Sequence, residues 1–317
     1  MDEREVIHRL RRLAAEPAAR GLVDDAALLD GLVITLDSLA EGVHFLPDDP
    51  PASVGWKLVS VNLSDLAAKG AEPIAALLSL TLSESDWDRG IIDGIEAACE
   101  SYDLPLIGGD TIALTAGAPR VYGLTAIGRA GERMPSRSGG KAGDRLWLAG
   151  TLGDSAAGLA LLSDNKAATG QLVDIYRRPI PLLEMGKTLA AHATAMMDVS
   201  DGLLIDLERL CSASGCGAQV DLDSFPLSRA FIAERGQDRP ARLFAATGGD
   251  DYALLAALPP DIDLLSLPLP QAPILTCVGR LVAGSGLDLR DRKGAVPLPE
   301  TLGYEHRTSI SAMRDRL

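Results

Sequence analysis

Short aspartate-bearing segments recur across three-quarters of this chain, several of them closing an apolar run or following a pair of glycines. They are Asp24-Asp25-Ala26-Ala27, Thr35-Leu36-Asp37, Asn62-Leu63-Ser64-Asp65, Gly108-Gly109-Asp110-Thr111, Asp198-Val199-Ser200-Asp201-Gly202 and Gly248-Gly249-Asp250-Asp251-Tyr252. The runs Leu32–Leu36, Leu104–Ile107 and Ala193–Met197 read as strands, so the carboxylates after them belong at a sheet rim, where ligands bind. Carboxylates gathered on one rim repel each other unless hard cations sit among them, and Mg²⁺ usually brings a substrate phosphate. Walker A, dinucleotide-fingerprint and nucleophile-elbow motifs are all missing. The pattern points to metal-dependent phosphate chemistry without a P-loop.

At 317 residues the chain has room for two domains or one large α/β unit. A net charge of −14 argues against a nucleic-acid partner, which needs basic patches, but not against small phosphorylated ligands neutralised by bound cations. No apolar run approaches the ~20 residues of a membrane span, and Met1–Arg12 has no signal-peptide core, so a cytoplasmic location is expected. Cys99, Cys211, Cys216 and Cys277 form no metal-binding pair and read as reduced thiols.

Arg4–Leu13 reads as a short amphipathic helix. Ser53–Gly70 reads as a second, with Ser53 as N-cap and Gly70 as its stop. A strand at Ala75–Leu82, a helix at Trp87–Tyr102 and strands entering Gly108-Gly109-Asp110 and spanning Arg120–Gly128 complete a mixed sheet. Met134–Gly143 is a polar, glycine-rich loop. A second unit begins at Asp144–Ala149, with a helix from Asp154, a proline-punctuated loop at Tyr176–Pro181, a helix at Asp201–Ser212, and strands at Ala218–Leu222, Tyr252–Leu258 and Ile274–Val282.

Taken singly, each aspartate is ordinary, because Asp is common at helix N-caps and in turns. Asp65 is the strongest case. It interrupts the apolar helix Val59–Ala68, where an unpaired carboxylate is costly and needs either Lys69 or a metal. Asp110 follows two glycines that let backbone approach a phosphate. His44, between apolar neighbours, is either packed or in contact with phosphate. Arg137 is either solvated or a source of positive charge for phosphoryl transfer.

In this order and spacing the segments, together with Glu41-Gly42-Val43-His44-Phe45 and Gly153-Asp154-Ser155, resemble the superfamily of aminoimidazole ribonucleotide synthetase, selenophosphate synthetase and the hydrogenase-maturation proteins. Within it they resemble the thiamine-monophosphate kinases. The resemblance implies an α+β fold of two domains, mixed sheets flanked by helices, divided as residues 1–138 (nucleotide, metal and dimer contacts) and 139–317. It implies a homodimer joined through the first domain. ATP and thiamine monophosphate would be substrates and several Mg²⁺ ions cofactors. Asp25, Thr35, Asp37, Asp65, Asp110, Asp198 and Asp201 would hold metal. Tyr102, Gly109, Asp110, Arg137 and Ser200 would contact ATP, while His44, Asp250 and Tyr304 would contact the acceptor. Asp65, Asp110, Arg137 and Asp198 would form the catalytic set. The chain departs from the commonest pattern at Leu36, where Thr is usual, at Asp250, where Glu is frequent, and at Arg307, where an aromatic often follows Gly303-Tyr304-Glu305-His306. Two rivals are another ATP-dependent enzyme of the superfamily and a non-catalytic nucleotide-binding regulator. Met1–Arg20 lacks the Cys of selenophosphate synthetases, and Met313–Leu317 lacks the terminal Cys of the hydrogenase-maturation relatives.

Overall fold

The computed structural model describes residues 3–305. Its first half contains α1 (Glu3–Leu10), β1 (Ala27–Leu29), β2 (Leu32–Ala40), α2 (Pro51–Ala68), β3 (Glu72–Leu82), α3 (Ser85–Ser101), β4 (Leu106–Ala113) and β5 (Val121–Arg129). These strands form a mixed sheet of order β1-β2-β5-β3-β4, antiparallel except for the β3–β4 pair. The second half contains β6 (Arg145–Ala149), α4 (Asp154–Asp164), α5 (Gln171–Arg177), α6 (Leu183–Ala190), β7 (Ala195–Val199), α7 (Leu203–Ser214) and β8 (Gly217–Asp221). It continues through α8 (Arg229–Arg235), α9 (Arg239–Thr247), β9 (Ala253–Leu258), β10 (Leu275–Val282), β11 (Gly286–Asp291) and β12 (Gly294–Ala295). Its seven strands are ordered β12-β11-β8-β10-β6-β9-β7. Both sheets are mixed and flanked by helices, as expected for an α+β chain.

Helix α2 organises both halves. It is apolar on all sides, and such a helix has to be enclosed; nearly every residue from Ser53 to Ala68 is buried. One side packs on the first sheet and on α3, where Gly55 and Gly94 allow backbone contact. A Cβ on Gly94 would lie 2.1 Å from the Ala52 carbonyl oxygen. Its last turn packs against α6, where a Cβ on Gly186 would lie 2.0 Å from the Ala67 carbonyl oxygen. Ala67 and Ala68 thereby join the core formed by Met185, Leu189, Met196 and Leu254 on one face of the second sheet. The opposite face is covered by α4, α7, α8 and α9 around Leu148, Leu207, Phe231 and Leu255.

Several sequence expectations shift. Ser53 is not the N-cap of α2, because Pro50 and Pro51 start the helix one turn earlier. Strand β2 runs on past Asp37 to Ala40, so Asp37 lies within the strand and not at its end. Gly108-Gly109-Asp110 is part of β4 and not a turn; a Cβ on Gly109 would lie 2.0 Å from the Leu78 carbonyl oxygen, so that glycine serves the β3–β4 contact. Tyr176 and Arg177 close α5 where a loop was expected. Helix α7 starts at Leu203 behind Gly202, so Asp201 lies before the helix and not in it. Among the described residues no helix is long and apolar enough to cross a membrane.

Candidate active site

The end of α2, the segment just before β1 and the end of β7 bring carboxylates from distant parts of the chain together. Oxygen atoms of Asp25, Asp65 and Asp198 lie within 4.8 Å of one another. All three side chains are shut away from solvent. The residues around them fix their geometry. The Thr35 hydroxyl bonds the Asp65 carboxylate, and Ser64 Oγ donates to Asp198 Oδ2 at 2.7 Å. Asn62 accepts from the Asp37 N–H at 2.9 Å and donates to the Leu58 carbonyl at 2.9 Å, tying β2 to α2.

Lys69 does not neutralise Asp65. Its Nζ reaches Asp24 Oδ1 at 2.6 Å, Asp25 Oδ2 at 2.5 Å and the Met196 carbonyl at 3.1 Å. Arg137 also turns to Asp25, with Nε 2.6 Å from Oδ1. Asp25 is therefore held below the usual carboxylate range: burial opposes ionisation, but Arg137 and Lys69 outweigh it. Asp65 goes the other way. Burial first, then Asp37, Asp198 and Asp25, push it well above the usual range. Asp198 is pushed up to about 8 by burial and by Asp25. Burial works against the Arg137 charge, yet Asp25 and Asp206 raise its affinity for the proton overall. The cleft thus holds more buried negative charge than its own cations offset. A hard divalent cation with oxygen preference fits that donor set.

The other expected residues fall into groups. Asp37 is close enough to act electrostatically on Asp65 and Asp198. Asp201 is paired with Arg209 at 2.5 Å. Ser200 joins the Asp250 segment by accepting its N–H at 2.7 Å. Tyr304 donates its backbone N–H to the Asp201 carbonyl at 2.9 Å, while His306 and Arg307 lie outside the described residues. His44 accepts from the Ala40 N–H through Nδ1 at 3.0 Å, in the loop between β2 and α2. Of the Gly248–Tyr252 segment, Asp251 accepts the Gly153 N–H at the start of α4, and Asp250 pairs with Lys57 at 2.8 Å.

Two residues are not brought to the cluster within one chain. Tyr102 packs on Trp56, with ring centroids 5.8 Å apart, and its hydroxyl interacts with Ser60, more than a turn before Asp65 on α2. Asp110 is further removed. The register Asp37–Leu124–Leu78–Gly109 places it next to a row three strand spacings long, ~14 Å from Asp37 and on the opposite face.

Sequence reasoning missed Asp206 and Lys57. Asp206 accepts the N–H groups of Ser200 and Asp201 at 3.1 and 3.0 Å and binds Arg209, and burial pushes it up to about 7. Lys57 stands among the apolar residues of α2 as Asp65 does, whereas Asp206 shares α7 with Glu208 and Arg209 and does not stand out in sequence.

Two mixed sheets, one in each half, with carboxylates converging from both halves, place the chain among the AIR synthase-related proteins. The models of the N- and C-terminal domains of that family match residues 23–130 and 141–261. Thiamine-monophosphate kinase of Salmonella typhimurium is 39% identical over 309 residues, covering 90% of this chain and 91% of that protein. The solved complex of AaThiL with AMPPCP and TMP superposes with a TM-score of 0.84 at 31% identity, covering 96% of this chain and 97% of that one. A crystal structure of the Aquifex aeolicus thiamine monophosphate kinase gives 0.79 at 30% identity, covering 93% and 99%. The chain belongs to the thiamine-monophosphate kinases within the AIR synthase-related family.

Proposed function

We propose that this chain uses ATP to phosphorylate thiamine monophosphate to thiamine diphosphate, by direct in-line transfer inside the Asp25–Asp65–Asp198 cleft. One observation supports the placement: three buried carboxylates converge, and of these three Lys69 and Arg137 pair with Asp25, Lys69 sharing its charge with Asp24. Mg²⁺ held by Asp25, Asp65 and Asp198, with Asp37 alongside, would neutralise phosphoryl oxygens of donor and acceptor. The acceptor is a phosphate oxygen, anionic at neutral pH, so the chain need supply no strong base. Its own residues position and balance charge. Arg137 stays protonated throughout, Asn62 holds β2 and Asp37 in place, and Ser64 fixes the Asp198 carboxylate. His44 and Asp250 line the acceptor side, with Tyr304 near Asp201. Residues 1–138 form the nucleotide and metal half, and 139–317 close the site. The reaction is cytoplasmic.

The same reading makes the protein a homodimer. The outer face of the first sheet carries Leu36, 65% exposed, and Ile112, 53% exposed, beside Leu77 and Val121. Strand β4 is an edge with every residue exposed. An uncovered apolar face beside an open edge suits a second copy. Asp110, with Gly109, then serves the ATP site of the partner subunit, and Tyr102 lines the nucleotide groove.

The test is product formation from ATP with thiamine monophosphate or with free thiamine. Only the monophosphate should react, because a metal cage that grips two phosphates has nothing to hold on a neutral hydroxyl. Comparable turnover of thiamine would overturn the reading.

A further inference from the structure

Lys57 is a cation within an apolar helix, 2% exposed, and the chemistry above makes no use of it. A buried ammonium needs partners for its three N–H groups and its charge. Lys57 finds them in separate parts of the chain. Its Nζ donates to the His44 carbonyl at 3.0 Å and to Asp250 Oδ2 at 2.8 Å, and lies 4.3 Å from the centre of the Tyr176 ring. Each partner is itself fixed. Tyr252 donates its hydroxyl to Asp250 Oδ1 at 2.9 Å. Tyr176 donates to Asp49 Oδ2 at 3.2 Å, and Asp49 also binds Arg177 at 2.9 Å and the Leu46 N–H at 2.8 Å. Asp250 sits at φ +66°, a left-handed conformation that only firm anchorage maintains in a non-glycine residue. It keeps 25% exposure, so its carboxylate is gripped from behind and open in front.

We propose that Lys57 is a positioning residue for the acceptor substrate, joining the His44 loop of the first half to Asp250 and Tyr176 of the second as one wall. The inference rests on the reading that His44 and Asp250 face thiamine monophosphate. Two consequences follow from the chemistry. The wall spans both halves of the chain, so the acceptor side forms only when they are correctly packed. The Asp250 carboxylate has its charge balanced by Lys57, so it meets the substrate as a fixed hydrogen-bond acceptor more than as a counter-ion.

Steady-state kinetics of Lys57→Met test this. Loss of one charge-assisted contact that orients a binding group should raise KM for thiamine monophosphate roughly 10- to 100-fold. KM for ATP should stay within about 2-fold and kcat within about 3-fold, the pattern of lost ground-state binding. In the Lys57→Met/Asp250→Asn double variant the rise should be no larger than in Asp250→Asn alone, since one acts through the other. An unchanged KM for thiamine monophosphate, an equal rise in both KM values, or additive effects would each overturn the proposal. Where Lys57→Met does not fold, Tyr252→Phe removes only the bond to Asp250 Oδ1. It must then give a rise confined to thiamine monophosphate, and its absence counts against the idea equally. Wild-type turnover in the same assay separates failure of this proposal from failure of the kinase reading itself.

Discussion

Asp198→Asn should make the metal-free protein more stable, and increasingly so as pH rises. In the unfolded chain this carboxyl titrates near its ordinary 3.8, whereas in the folded protein it is pushed up to about 8. The folded state therefore keeps a proton that the unfolded state has released. The associated stability is complete below pH 4 and is lost as pH climbs to about 8. The loss runs at ~1.4 kcal/mol per pH unit, or about 6 kcal/mol over the window, as an upper bound because Asp25 and Asp65 share the repulsion. An amide carries no such penalty, and its carbonyl still accepts from Ser64, which lies 2.7 Å from Asp198 Oδ2. Urea denaturation in EDTA at several pH values between 4 and 9 measures the difference between variant and wild type. It should be near zero at pH 4 and reach several kcal/mol in favour of the variant by pH 8. With Mg²⁺ and ATP present the order should reverse, because only the wild type completes the cation site, and turnover of the variant should be lost. A difference that is flat with pH, or a variant less stable at pH 9 without metal, would refute the argument from buried repulsion.

Asp65→Asn and Asp110→Asn should each abolish turnover with the fold intact by circular dichroism, and an equimolar mixture of the two that exchanges subunits should recover roughly a quarter of wild-type activity if Asp110 works across the interface; no recovery would place it in its own subunit's site. Ile112→Glu should yield a monomer in analytical ultracentrifugation and lose activity with it. Gly94→Ala forces a methyl onto the Ala52 carbonyl and should cost roughly 1–3 kcal/mol in urea denaturation, and a loss below half that range would show that α2 and α3 can separate there.

Much of this was legible from the residues because it follows from burial. Alternating and continuous apolar runs located most of the strands, and the buried aspartate within Val59–Ala68 marked the cleft. Partner choice was less legible. Lys69 stands four residues after Asp65, which suggests a pair along the helix, but the chain folds Asp24 and Asp25 onto it instead. Asp110 looked like a member of the same cluster because its motif resembles the others. Only strand order reveals that Gly109 and Asp37 are three strands apart with Asp110 facing away, and strand order is a long-range property. Lys57 escaped notice because a single lysine in a helix ordinarily extends its stem to solvent, and nothing local says that the second half closes over it.

The enclosure of α2 bears on how ligands come and go. The helix packs on the first sheet and α3 at one side and on α6 and β7 at the other, with glycines bringing backbone against backbone at Gly94 and Gly186. Such contacts tolerate almost no sliding, so the two halves cannot swing apart like a clamshell without cavities opening along the whole helix. Admission of nucleotide and release of product must then proceed without a hinge between the halves.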